Sequence, residues 1–237
     1  MSFYDKSSVN PSWSDFLEGN SLRLWRIYEK IEASGEAFNP ERENVLRFSR
    51  VNLDRVKVVV LGQDPYPQKG AATGRSFEVG NLSSWLEPIR QSSMRNILRA
   101  IYMAYEGEES YGEIKKRIES GEFKILPPNR LFDSLEEQGV LFLNTYLTCA
   151  VGKPGSHRTL WKEFSRELIR FIDREGIIFF LWGSDAISYG EIIKKGKIYP
   201  SRHPMLCGNY SDDFLKNPCF RETKDIIDWR GQFFTEV

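Results

Sequence analysis

The sequence predicts an α/β fold: one three-layer α/β/α domain spanning residues 1-237, with a central, mainly parallel four-stranded sheet. Three observations lead there. Apolar runs that stop abruptly at polar or glycine turns occur at 58–61 (with Val56 just before), at 139–143 (GVLFL), at 177–182 (IIFFLW) and, more weakly, at 197–199. Runs this apolar belong to strands buried on both faces. Amphipathic stretches lie between them, and alternation of strand and helix implies parallel strands joined by helical crossovers. A chain of 237 residues can bury a core of its own without staples.

In chain order, Leu24, Ile27, Tyr28 and Ile31 form the apolar stripe of a first helix, with Gly35 as its stop. A loop with Asn39 and Pro40 leads into the first strand, which breaks at Gly62 into the turn Gln63, Asp64, Pro65, Tyr66. A helix follows at 93–102. Residues 103–130, ending in Pro127 and Pro128, read as a surface insertion with a short charged helix. The second strand ends in Asn144. Trp161, Phe164, Leu168, Ile169 and Ile172 mark the next helix by their spacing. The third strand ends in Gly183, Ser184 and Asp185, and the fourth runs into Pro200, Ser201, Arg202 and His203. If all four strands are parallel, Asp64, Asn144, Ser184 and His203 converge on one sheet edge, where open α/β sheets place their chemistry. Taken singly each is an ordinary loop polar; four at equivalent positions form a candidate site.

Composition narrows the function. Aromatics at 14% exclude a disordered chain. The start, MSFYDKSSVNPSW, lacks a basic region followed by an apolar one, and no run approaches the roughly 18 apolar residues of a membrane span. An intracellular, cytoplasmic protein with no membrane partner is expected, nuclear if the source is eukaryotic or viral. Cys149, Cys207 and Cys219 lack paired metal-ligand spacing and read as reduced thiols. With 33 basic and 33 acidic side chains the net charge is zero, so any nucleic-acid binding needs local charge, as in 153–158 (KPGSHR) or Arg202 with His203.

GQDPY at 62–66, Phe77, LFLN at 141–144, LWGS at 181–184 and HP at 203–204 together resemble the family 1 uracil-DNA glycosylases. The likeness runs from PSW at 11–13 to IIDW at 226–229, and GQDPY is its most specific string. The resemblance implies a monofunctional repair enzyme that flips uracil out of DNA and hydrolyses its N-glycosidic bond, with no metal or cofactor. Asp64 and His203 would be catalytic, the first stabilising the cationic sugar and orienting water, the second donating to uracil O2. Asn144, whose amide offers one donor and one acceptor, would read O4 and N3-H, a pattern that cytosine reverses. Phe77 would stack on the base, Tyr66 would exclude the thymine methyl, and Gln63 would present backbone groups. Ser93, Gly183, Ser184, Ser201 and Arg202 would meet DNA phosphates, while Met205 or Leu206 would wedge the duplex. His157 matches a segment near the DNA face. Uracil-containing DNA, single- or double-stranded, and a protein inhibitor of the uracil-DNA glycosylase-inhibitor type are the implied partners of a monomer.

The chain departs from the family in three places. Pro67 stands where a histidine usually follows GQDPY, and proline donates no hydrogen bond. The wedge loop reads HPMLCG instead of HPSP followed by Leu and Ser, and SSWLEPIRQS at 83–92 replaces a proline-rich loop. Fewer phosphate hydroxyls imply weaker duplex binding. A catalytically silent DNA-binding scaffold and a glycosylase for another damaged base are the alternatives.

Overall fold

A computed structural model of the chain describes Phe3 and residues 5–208 and 210–231. Among the described residues there are six strands: β1 (Phe38–Asn39), β2 (Val58–Gly62), β3 (Val140–Asn144), β4 (Cys149–Ala150), β5 (Ile178–Trp182) and β6 (Lys197–Ser201). Four of them form a sheet in the order β3-β2-β5-β6, every neighbouring pair parallel, and β1 pairs antiparallel with β4 in a separate two-stranded ribbon. The helices are α1 (Ser14–Gly19), α2 (Ser21–Ala33), α3 (Ser92–Tyr105), α4 (Tyr111–Glu119), α5 (Pro128–Gln138), α6 (Arg158–Ile172), α7 (Ser184–Ser188) and α8 (Cys219–Thr223).

The side-chain period of two in a strand divides the core into two layers. Val59, Leu61, Leu141, Leu143, Phe179 and Leu181 face α2 and α6, in a cluster that includes Leu24, Ile31, Trp161 and Phe164. Val58, Val60, Val140, Phe142, Phe180 and Trp182 face the other way, against Met94 and Leu98 of α3, Leu131 and Leu135 of α5, and Phe220 of α8. The expected α/β/α layering with a parallel four-stranded sheet is therefore the observed one.

Three local expectations change. The helix directly before β3 is α5, which starts at the second of two prolines and stops at Gly139 in a left-handed conformation; Gly139 is thus a helix cap and not the first residue of the strand. The segment 103–130 does carry the short charged α4, opened by the Ser110 side chain accepting from the Glu113 N–H, but Ile114 and Phe123 are buried in the core, so it is no mere surface insertion. Finally, β6 continues past Tyr199 to Ser201, close to the functional turn. Among the described residues no helix is long and apolar enough to cross a membrane.

Candidate active site

The register pairs Gly62 with Asn144, Leu61 with Leu181 and Trp182 with Ser201, so the carboxyl ends of all four strands lie along one edge. A cavity of about 420 Å3 opens there, lined by Gln63, Trp182, Gly183, Ser184, Arg202 and His203, with Met205 and Leu206 at its rim. Strand parity sends Asn144 to the same face as Phe142, towards Phe77 and Trp182. Gly62 makes this possible: a Cβ there would sit 2.9 Å from Asn144 Oδ1 and 3.2 Å from the Phe77 ring.

The turn after β2 is tied down from several sides. The Gln63 carbonyl accepts from the Tyr146 N–H and from Thr145 Oγ1, both at 2.9 Å. That carbonyl is therefore engaged within the protein. The buried Asn39 amide donates to the Tyr66 carbonyl at 3.1 Å and to the Pro67 carbonyl at 2.9 Å. Asn39 was legible only as a loop residue, because its partners lie far along the chain.

Asp64 projects from this turn. Both of its carboxylate oxygens are shut from solvent and neither completes a hydrogen bond. Burial pushes the carboxyl up to about 6; the Gly155 N–H and Arg158 oppose the rise and Asp185 adds to it. Asp185 is itself held, accepting from Tyr146 Oη at 3.1 Å and from Arg158 Nη2 at 2.9 Å. A buried, unpartnered carboxylate is expensive unless something arrives to use it.

His203 begins the short 3-10 turn Pro204–Leu206, and its Nδ1 accepts from the Met205 N–H at 3.1 Å. Burial lowers its pKa, so near neutral pH the ring is uncharged and the proton sits on Nε2, free to donate. Gly183, at φ 98°, lets the ring approach: a Cβ there would stand 3.2 Å from His203 Cβ.

Phe77 is the only described residue other than glycine at positive φ, 64°. Its ring lies 5.1 Å from that of Trp182 and 5.7 Å from His203. Strain of this kind gathers at functional sites. Tyr66 has its hydroxyl 3.1 Å from Ser93 Oγ and donates to the Phe77 carbonyl at 3.4 Å, and burial pushes its pKa up to about 12. Asn144 is 3% exposed, and its side-chain amide makes no hydrogen bond to a described residue.

The residues expected at phosphates are arranged less uniformly. Ser184 is exposed at the start of α7. Ser93 is buried and engaged with Tyr66, and Ser201 is buried with its hydroxyl donating to the Arg202 carbonyl. Arg202 Nε donates to Asp212 at 2.7 Å, and its guanidinium lies 3.9 Å from the Tyr210 ring centre. Met205 and Leu206 are more than half exposed. Their loop is braced by Asn96 Nδ2 donating to the Pro204 carbonyl at 2.7 Å and by the Gly208 N–H donating to Asp213. The departing segment 83–92 buries Trp85, whose Nε1 donates to the Leu126 carbonyl at 2.8 Å. His157 is buried, with Nδ1 2.8 Å from Thr148 Oγ1, in a packing role. Among the described residues no cluster of His, Cys, Asp or Glu could hold a metal ion.

Comparisons with known proteins place the chain in a family. The family model "Uracil DNA glycosylase superfamily" matches residues 48–224. A uracil-DNA glycosylase of Aliarcobacter butzleri is 34% identical, over 91% of this chain and 95% of that protein. One of Francisella philomiragia is 32% identical, over 92% and 99%. The crystal structure of the UNG from Nitratifractor salsuginis aligns over 93% of both chains with a TM-score of 0.71 at 22% identity, which speaks for the fold. A mimivirus UNG variant crystallised in complex with UGI aligns with a TM-score of 0.65 at 24% identity, over 86% of this chain and 73% of that one. A family match of that extent, together with relatives above 30% identity along nearly their whole length, means that this chain belongs to the Uracil DNA glycosylase superfamily.

Proposed function

We propose that this protein is a DNA-repair hydrolase that takes uracil out of DNA, cleaves its N-glycosidic bond and leaves an intact abasic site. The observation that carries the reading is Asp64, whose carboxylate oxygens are covered from solvent and complete no hydrogen bond, in the turn after β2 at the sheet edge where β3 ends in Asn144 and β6 leads to His203. A stacked base cannot reach this cavity, so it is first extruded, at a cost of roughly a few kcal/mol. The Asn144 amide then reads O4 and N3-H. Phe77 stacks on the ring, a contact worth about 1–3 kcal/mol. Tyr66, braced at its hydroxyl, walls off the space a C5 methyl would need.

Cleavage leaves positive charge on the sugar and negative charge on the base. The Asp64 carboxylate faces the first and orients the attacking water. His203 Nε2–H donates to uracil O2 as the second develops; an uncharged donor fits, because its Nδ1 is already an acceptor. These roles use ionised Asp64, so the rate rises with pH through about 6.

DNA enters over the rim formed by Ser184, Gly183, Arg202, Met205 and Leu206. Ser93 and Ser201 act from beneath it, Ser93 by fixing Tyr66 and Ser201 by fixing Arg202. The same rim suits a protein inhibitor that mimics DNA. The protein works as an intracellular monomer.

The test is base release from oligonucleotides carrying uracil, thymine, hypoxanthine or 5-hydroxymethyluracil, single-stranded and paired. Uracil release that persists in EDTA, without strand cleavage, is expected. Release of none of the bases would make the protein a silent scaffold, and trapping of a covalent DNA adduct by borohydride would replace water with an amine nucleophile.

A further inference from the structure

Phe77 keeps its left-handed backbone without the help of glycine, and the residues on either side of it are joined by charge. Arg75 Nη1 donates to Glu78 Oε1 at 2.9 Å, bridging over Ser76 and Phe77. Arg75 Nη2 reaches α5, donating to Asp133 Oδ1 at 2.5 Å and to Glu136. Ser76 Oγ donates to the Val60 carbonyl at 2.9 Å, fastening the same segment to β2. The Arg75 side chain is 3% exposed and that of Glu78 10%, so their pairing is not an incidental surface contact.

Buried ion pairs add little to stability over apolar packing, and their retention is better explained where they hold one geometry. Relaxing Phe77 out of positive φ would swing residues 75 and 78 relative to one another and part the pair. The guanidinium would then be left inside the protein one carboxylate short.

From this arrangement we infer that Arg75, with Glu78, is a positioning residue: it sets the backbone of Phe77, and so the plane on which uracil stacks. The inference rests on the stacking role of Phe77 in the proposed function. Lysine cannot replace Arg75, because a single ammonium does not fork towards two sides as a guanidinium does.

The experiment is a double-mutant cycle of Glu78→Gln and Phe77→Leu, with Arg75→Lys in parallel; Glu78→Gln leaves Arg75 its partners on α5 and so preserves the fold if Arg75→Lys does not. Single-turnover uracil release is expected to fall on the order of tenfold for Glu78→Gln and for Arg75→Lys, the scale of a lost base stack. Inhibition by free uracil should weaken by a similar factor, while affinity for DNA already carrying an abasic site stays unchanged. In the Phe77→Leu background Glu78→Gln should cost nothing further. Multiplicative losses in the cycle, or an equal fall in abasic-DNA affinity, would overturn the inference and leave the stacking role standing. Full activity of Phe77→Leu alone would overturn both.

Discussion

Replacing Asp64 with asparagine should make the protein more stable and nearly inactive at once. Burial raises the carboxyl from 3.8 to about 6, a shift of about 2 units, and at about 1.4 kcal/mol per unit the folded state bears up to about 3 kcal/mol for ionising it. The residue as a whole is only partly buried although its oxygens are covered, so water screening reduces this to about 1–2 kcal/mol. Below pH 3.8 the group is neutral in both folded and unfolded chains and there is no penalty. As pH rises through about 6 the unfolded chain sheds the proton first, so stability is lost across that window. Asparagine titrates nowhere. At pH 8 the Asp64→Asn variant should therefore melt about 2–8 °C above the parent, given about 2–4 °C per kcal/mol for a chain of this size, and the gap should close towards pH 4. Single-turnover uracil release should fall by roughly 100- to 1,000-fold, with DNA affinity nearly unchanged, because charge here acts mainly in the transition state. Thermal melts at the two pH values, rapid-quench base release and fluorescence anisotropy measure the three quantities. A melting gap independent of pH would refute the burial argument, and equal losses of rate and affinity would refute the catalytic one.

Tyr66→Ala should admit thymine, since Pro65, Pro67 and the bond to Ser93 make the wall rigid; uracil release without any thymine release would move the exclusion elsewhere. Asn144→Asp should relax discrimination against cytosine and impair uracil excision, because only a protonated carboxyl can offer the reversed pattern; intact uracil excision would show that another group reads the base. Leu206→Ala should reduce activity on duplex at least tenfold more than on single strands, with U·G preferred to U·A in the parent, and equal losses on both would show that the loop does not wedge. Binding should fall only shallowly with salt, because Arg202 is already paired with Asp212 and the net charge is zero; a steep slope in anisotropy titrations would point to further phosphate contacts.

The departures from the family look different in three dimensions. Pro67 supplies no donor, yet its carbonyl anchors the catalytic turn through Asn39 and the Gly152 N–H. The loop HPMLCG at 203–208 is braced from behind by Asn96 and Asp213. Both segments are thus held by hydrogen bonds from the chain itself.

The four parallel strands and the turns that end them were legible in the sequence, whereas α5 and the β1–β4 ribbon were not. Apolar runs ending in polar turns are local signals, and a period of two is enough to send Asn144 to one face and Leu143 to the other. The string GQDPY pointed to the family for the same reason, since a turn's residues are contiguous. What the sequence left open depends on burial and on which groups the fold brings together. The protonation of Asp64 comes from burial and from Asp185, well over a hundred residues away. The neutral state of His203 comes from burial, and its Nε2-protonated form from the Met205 N–H that Nδ1 accepts. Ser93 and Ser201 look like phosphate ligands in sequence, but packing turns their hydroxyls inward, to Tyr66 and the Arg202 carbonyl. Desolvation and charge act through space, without regard to sequence separation, so residue type and spacing could locate these groups but not assign their state.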